Sequence, residues 1–154
     1  MKSFATSITI RAPVGTVWAL LTDAARYPQW NSTVERIDGR IAAGGRVTVH
    51  AKAAPGRAFA LRVAEFSPPR RMVWVGGLPL GLFAGSRSFT LTPKANGEVG
   101  FAMAEHYDGL LAPLITRSIP DLQPAFDAFA ADLKRRAERA LHGEQQSHEG
   151  KQAS

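Results

Sequence analysis

Between residues 121 and 143 the chain carries one apolar stripe, and what that stripe must cover limits the whole fold. Leu122, Phe126, Phe129 and Leu133 recur at i, i+4, i+7 and i+11. That spacing lines up side chains on one face of an α-helix. It predicts a helix of about five or six turns. Asp121 reads as its N-cap, which puts Pro124 at the third helical position, where a missing N–H costs little. Gly143 reads as its stop. The sequence from Glu144 onward is polar, so a disordered tail is expected over 143–154.

The partner for that stripe is written upstream. Phe4, Ile8 and Ile10 alternate in the first segment, which reads as a strand with one buried face. Pro13 opens a helix containing Val14, Val17, Trp18 and Leu21, and Asp23 suits the cap of a second short helix. Tyr27-Pro28-Gln29-Trp30-Asn31 then forces a turn. Strand-like runs follow at 32–38, 46–52, 58–66, 71–75, 86–92 and 98–107, each bounded by turn residues. Phe59, Leu61 and Val63 share one face. The last two runs form a hairpin about Ala95-Asn96-Gly97. This order predicts an α+β fold: a curved antiparallel sheet of about six or seven strands wrapped around a long C-terminal helix, with two short helices after strand 1. The last helix is the only element long enough to lie across such a sheet.

Length and composition narrow the function. The 154 residues fit one domain, expected over 3–142. With 0 cysteines, disulfides, thiolate nucleophiles and cysteine-bound metals are excluded. No apolar run is long enough to span a membrane, and the N-terminus lacks a signal-peptide core, so a cytoplasmic protein without stable membrane insertion is expected. The net charge of +6 raises nucleic acid as a partner. The basic residues are spread along the chain, though, and the cluster Lys134-Arg135-Arg136 with Arg139 sits near a helix end, where cations complement the dipole. No nucleic-acid partner is expected. The four histidines show no ligand spacing, so neither a metal nor a cofactor is expected. His50 and His106 are out of phase with their apolar neighbours and read as water-facing.

A resemblance rests on particular residues. Ile10-Arg11-Ala12-Pro13, Val17 to Asp23 and Tyr27 to Asn31 are similar to the opening of the SRPBCC superfamily, the START-like or birch-pollen-allergen-like helix-grip proteins. Phe89 to Pro93, Asn96-Gly97 and Glu105 to Leu114 resemble a bacterial subgroup with no assigned ligand, within the polyketide cyclase/dehydrase and lipid-transport group. The resemblance covers roughly residues 3–140 and implies a cavity between sheet and helix. It also implies that Trp30 packs near the cavity edge. The superfamily holds carriers, cyclases, receptors and chaperone activators, so the fold alone does not supply the function.

Glu105 shares strand parity with Phe101, Met103 and Tyr107, and Arg87 shares parity with Phe89 and Leu91. A loop at 95–97 places Arg87 opposite Glu105 and Phe89 opposite Met103, a pairing that a one-residue slip would break. If that face lines the cavity, Glu105, Arg87 and Tyr107 are candidates for a polar ligand anchor or for acid–base catalysis; a structural ion pair is the plainer alternative. The expected apolar lining is Trp30, Phe59, Leu61, Trp74, Leu82, Phe83, Phe89, Met103, Leu122, Phe126 and Phe129. The Gly- and Leu-rich stretch 76–85 reads as a connection between strands, suited to a lid over the cavity, to a bulged strand edge or to a dimer contact. The expected function is binding of a small hydrophobic molecule (a lipid, polyketide or aromatic metabolite) by a monomer or homodimer. The alternatives are a polyketide cyclase/aromatase-like enzyme using Glu105, Arg87 and Tyr107, and a chaperone-activator-like interaction module presenting the basic helix face.

Overall fold

Phe129 stands at the centre of the molecule, and the strands and helices are arranged about it. The computed structural model describes residues 3–152, with side chains as far as residue 140. Strands β1 (Ser3–Ile10), β2 (Val34–Gly39), β3 (Arg46–Ala51), β4 (Phe59–Ser67), β5 (Arg71–Leu78), β6 (Phe83–Pro93) and β7 (Val99–Asp108) form one antiparallel sheet. Their order is β1-β7-β6-β5-β4-β3-β2, a meander whose first strand folds back beside the last. Helices α1 (Val14–Thr22) and α2 (Tyr27–Trp30) follow β1, and α3 (Ala112–Ile115) and α4 (Gln123–Gln152) follow β7. This is the α+β helix-grip architecture expected from the hydrophobic pattern. No helix among the described residues is long and apolar enough to cross a membrane.

The sheet curls for identifiable reasons. Register shifts between Val34 and Arg36 and between Val63 and Glu65 insert extra residues, which bend the strands and increase their twist. At Gly76 a Cβ would collide with the Leu61 side chain, so the glycine lets β4 and β5 close together. The curled inner face then receives α4. The Phe129 ring lies 6.1 Å from Tyr27, 5.7 Å from Trp30, 6.0 Å from Phe89 and 6.1 Å from Phe101. Such aromatic pairs add to the free energy of area burial. Phe126, Leu133 and Ala137 are buried along the same face.

A polar clamp sets where α4 sits. Asp132 is buried, and its Oδ2 accepts hydrogen bonds from Ser32 N (2.8 Å) and Ser32 Oγ (2.6 Å). Its Oδ1 pairs with Arg135 at 3.3 Å. At the far end of the helix's contact with β1, Lys134 Nζ donates to Thr9 O (2.9 Å) and to Glu138 (2.7 Å). Burial raises the Glu138 carboxyl, but hydrogen bonds from Lys134 and from the Arg11 N–H outweigh this and hold it below its usual range.

Several boundaries differ from the sequence reading. Asp121 Oδ1 accepts from Gln123 N at 3.0 Å, but the helix begins one residue later than expected, so Asp121 lies just before the cap position and Pro124 is the second helical residue. The α4 backbone passes Gly143 and continues to Gln152. A lone glycine costs a helix only about 1 kcal/mol relative to alanine. Residues 153–154 of the expected tail lie outside the described residues. Asp23 gives no side-chain cap and instead pairs with Arg26 at 3.4 Å. The stretch 76–85 is no loose connection: β5 runs through Leu78 and β6 begins at Phe83, leaving a tight turn.

Truncating Phe129 to alanine would remove four ring contacts at once. Phe129→Ala is expected to lower unfolding free energy by about 3–5 kcal/mol in urea titration. A loss below about 1 kcal/mol would show that α4 is not held by this ring.

Candidate functional site

On the inner face of the sheet, the row that crosses β5, β6 and β7 reads Trp74, Arg87 and Glu105, each paired with the next. The hairpin turn at Ala95–Gly97 fixes this register, because Asn96 and Gly97 take the left-handed backbone that closes it. Arg87 therefore faces Glu105 and Phe89 faces Met103, as the loop length predicts. Arg87 donates an N–H to Glu105 Oε2 at 3.2 Å, and Tyr107 Oη donates to the same oxygen at 3.0 Å. The Arg87 guanidinium also lies 4.7 Å above the Phe126 ring of α4, a cation–π contact that orients it toward the helix.

One carboxylate oxygen thus serves a cation and a phenol while the surrounding wall is apolar. Phe83 stacks on Tyr107 at 5.9 Å and 12°. Tyr107 lies against Gly85, its cross-strand partner, where a Cβ would sit 3.4 Å from the ring. Glycine leaves room there for the ring to lie flat against the sheet. The pair is neither sealed nor free in water: the Arg87 side chain is 24% exposed and that of Glu105 15%.

Behind this row lies a buried aromatic cluster. Trp74 packs on Phe89 at 4.7 Å and on Tyr27 at 6.5 Å, and Tyr27 packs on Trp30 at 4.8 Å. Tyr27 Oη donates to Leu21 O at 2.7 Å. Trp30 Nε1, Trp74 Nε1 and Asn31 Nδ2 are buried and have no hydrogen-bond partner among the described residues. All three are donors, and burying a donor without an acceptor is costly. The other end of Asn31 is satisfied, since Oδ1 accepts from Thr33 N (2.9 Å) and Thr33 Oγ1 (2.7 Å).

The remaining expected lining residues take varied places. Phe89, Met103, Phe126 and Phe129 are fully buried in the core. Leu61, Leu82, Phe83 and Leu122 are half-buried. Phe59 shares parity with Val63 but lies at the rim, 42% exposed. Trp30 is buried between Tyr27 and Phe129. His106 is exposed, as its phase indicates. His50 is instead half-buried against Asp38 Oδ2 at 3.0 Å. That hydrogen bond, with help from Arg36, holds the Asp38 carboxyl below its usual range. Sequence reasoning missed Asp132 and had Asn31 only as part of the opening motif. The position of Asp132, between Phe129 and Leu133 on the helix flank, was the available signal.

The sequence model of the family described as polyketide cyclase/dehydrase and lipid transport matches residues 1–138. No curated protein matches the chain. Among solved structures, a hypothetical protein of Helicobacter pylori superposes with a TM-score of 0.73 at 15% identity, covering 88% of each chain. The Zhui aromatase/cyclase of a Streptomyces species gives 0.70 at 14%, covering 91% of this chain and 95% of that one. A START superfamily protein of Mycobacterium smegmatis gives 0.64 at 14%, covering 90% and 98%. At these identities the likeness is one of fold.

The two tyrosines provide a spectroscopic check. Burial raises both hydroxyls well above their ordinary value near 10, and Glu105 raises Tyr107 further. A folded pKa above the unfolded one contributes stability that is complete below the unfolded value and is lost as pH rises through the folded value. Ultraviolet titration should show no tyrosinate near pH 10 in the folded protein, with ionisation appearing only at more alkaline pH. Ionisation of one equivalent near pH 10 would place a tyrosine in water.

Proposed function

Since the chain belongs to the polyketide cyclase/dehydrase and lipid-transport family, we propose that residues 3–142 form a ligand-binding domain. It holds a small hydrophobic molecule between the sheet and α4. The observation that carries this reading is the Arg87–Glu105–Tyr107 cluster, set in an aromatic wall and still reachable from solvent. An ion pair needed only for stability gains little from an apolar inner face, where desolvation offsets much of its attraction. There, however, it gives an otherwise featureless site a polar anchor. Arg87 supplies donors to a ligand carbonyl, and Glu105 accepts from a ligand hydroxyl. Trp30, Trp74 and Asn31 offer further donors deeper in. The fully apolar part of the ligand meets Phe83, Phe126 and Trp74. The absence of cysteine suits work in a reducing cytoplasm.

One observation favours a second reading. Glu105 Oε2 is held between a phenol and a guanidinium, an arrangement suited to taking a proton from the carbon beside a ketone and returning it during dehydration. The family description includes cyclases and dehydrases, and one structural relative is described as an aromatase/cyclase. In this reading Glu105→Gln abolishes turnover of a poly-β-ketone substrate while leaving ligand affinity intact. Full turnover in that variant rules the mechanism out.

Binding is tested with a matched pair of probes, acetylnaphthalene and its isopropyl analogue, followed by tryptophan fluorescence. Both should bind saturably. Arg87→Met should weaken the ketone by about tenfold, the scale of one charge-assisted hydrogen bond, and leave the hydrocarbon unchanged. If neither probe binds saturably, the proposal fails.

A further inference from the structure

Five large hydrophobic side chains stand exposed among the described residues: Phe59, Leu78, Leu80, Leu110 and Leu114. All five lie at one end of the sheet. Phe59 opens β4 opposite Val49, Leu78 closes β5 opposite Phe83, and Leu110 and Leu114 follow the end of β7. The turns that carry them are tied into one rim. Leu110 N donates to Gly81 O at 3.1 Å, and Leu111 N donates to Leu82 O at 2.7 Å. Leu80, at the tip of the β5–β6 turn, is 94% exposed and has a φ of 61°. A left-handed backbone is unfavourable for leucine, and glycine or asparagine would fit that position more easily. This strained tip carries its apolar side chain outward, away from the core.

Phe83, the residue that opens β6 after the turn bearing Leu80, stacks on Tyr107 of the proposed site. The rim's charges are mixed. Lys52, Arg57 and Arg117 are exposed on the turns of this end and make no ion pair among the described residues. Glu35, Asp108 and Asp121 share that end, and Asp121 accepts a hydrogen bond from the Gln123 N–H at the start of α4. The whole chain carries +6.

We propose that this end docks on an anionic phospholipid surface, with Leu80, Leu110 and Leu114 inserted among the headgroups and the rim cations facing lipid phosphates. Leucines at separate turn tips suit a deformable interface that closes around each side chain. A second copy of the chain would bring two +6 molecules together. Docked in this way, the site faces the bilayer, and an apolar ligand passes between membrane and protein without crossing water. The docking stands on the rim alone, whereas the passage of ligand rests on the binding reading.

Vesicle flotation of the full chain tests it, using phosphatidylcholine vesicles with and without phosphatidylglycerol. The protein should float with the anionic vesicles and only weakly with the neutral ones. The double variant Leu80→Ser/Leu110→Ser, which changes exposed side chains only, should bind anionic vesicles at least about tenfold less tightly. Arg40→Ser/Arg70→Ser, on turns at the opposite end of the sheet, should float like the parent. The inference is overturned if the parent does not float. Equal flotation of the leucine variant overturns it too, as does an equal loss in the arginine variant. So does sedimentation showing a dimer that Leu80→Ser/Leu110→Ser dissociates, because the rim would then be covered by a second copy.

Discussion

The packing of Phe129 against four rings from α2, β6 and β7 is the contact on which the rest of the architecture depends. A curled sheet with an apolar inner face has no stable existence until that face is covered. One helix supplies the cover, and the ring at its centre reaches both the strands and the α2 corner. Asp132 then sets the helix's position by gripping Ser32, while Lys134 grips the end of β1. The aromatic contacts give most of the attraction, and the polar clamps choose one placement among several that would bury similar area.

That placement decides what the inner face can do. With α4 fixed, Phe126 comes to lie under the Arg87 guanidinium. The Arg87–Glu105–Tyr107 cluster thereby lies between helix and sheet and keeps part of its surface exposed. In such a setting a hydrogen bond is stronger than in water, and an unmet one costs more. The three unpartnered donors in the neighbouring cluster follow the same logic. The wall is apolar, with polar groups at only a few points.

Much of this was legible in the chain. The pairing of Arg87 with Glu105 follows from strand parity and the length of one hairpin loop, and both are local properties. The stripe from Leu122 to Leu133 identified the covering helix because only a helix gathers side chains with a 3.6-residue period onto one face. What escaped were features set by long-range geometry. Phe59 has the parity of an inner-face residue, yet its strand reaches the open rim and the ring is half in water. Parity tells which face a residue takes and not how far along the sheet the cover extends. Gly76, Gly77, Gly81 and Gly85 made 76–85 look like a loose connection. In the fold, the glycines at 76 and 85 allow close approach of Leu61 and Tyr107 within continuous strands. His50 gains its partner Asp38 only across two strands, a pairing no local pattern reveals.

The most direct test of ligand binding between sheet and helix is native mass spectrometry of the freshly purified chain, with denaturing extraction of whatever accompanies it. Binding at this site predicts a mass excess of one small molecule per chain, released on denaturation and identified as an apolar compound bearing at least one oxygen acceptor. A chain at its own sequence mass that also takes up no apolar compound added during refolding would mean that α4 fills the space itself, contradicting the account.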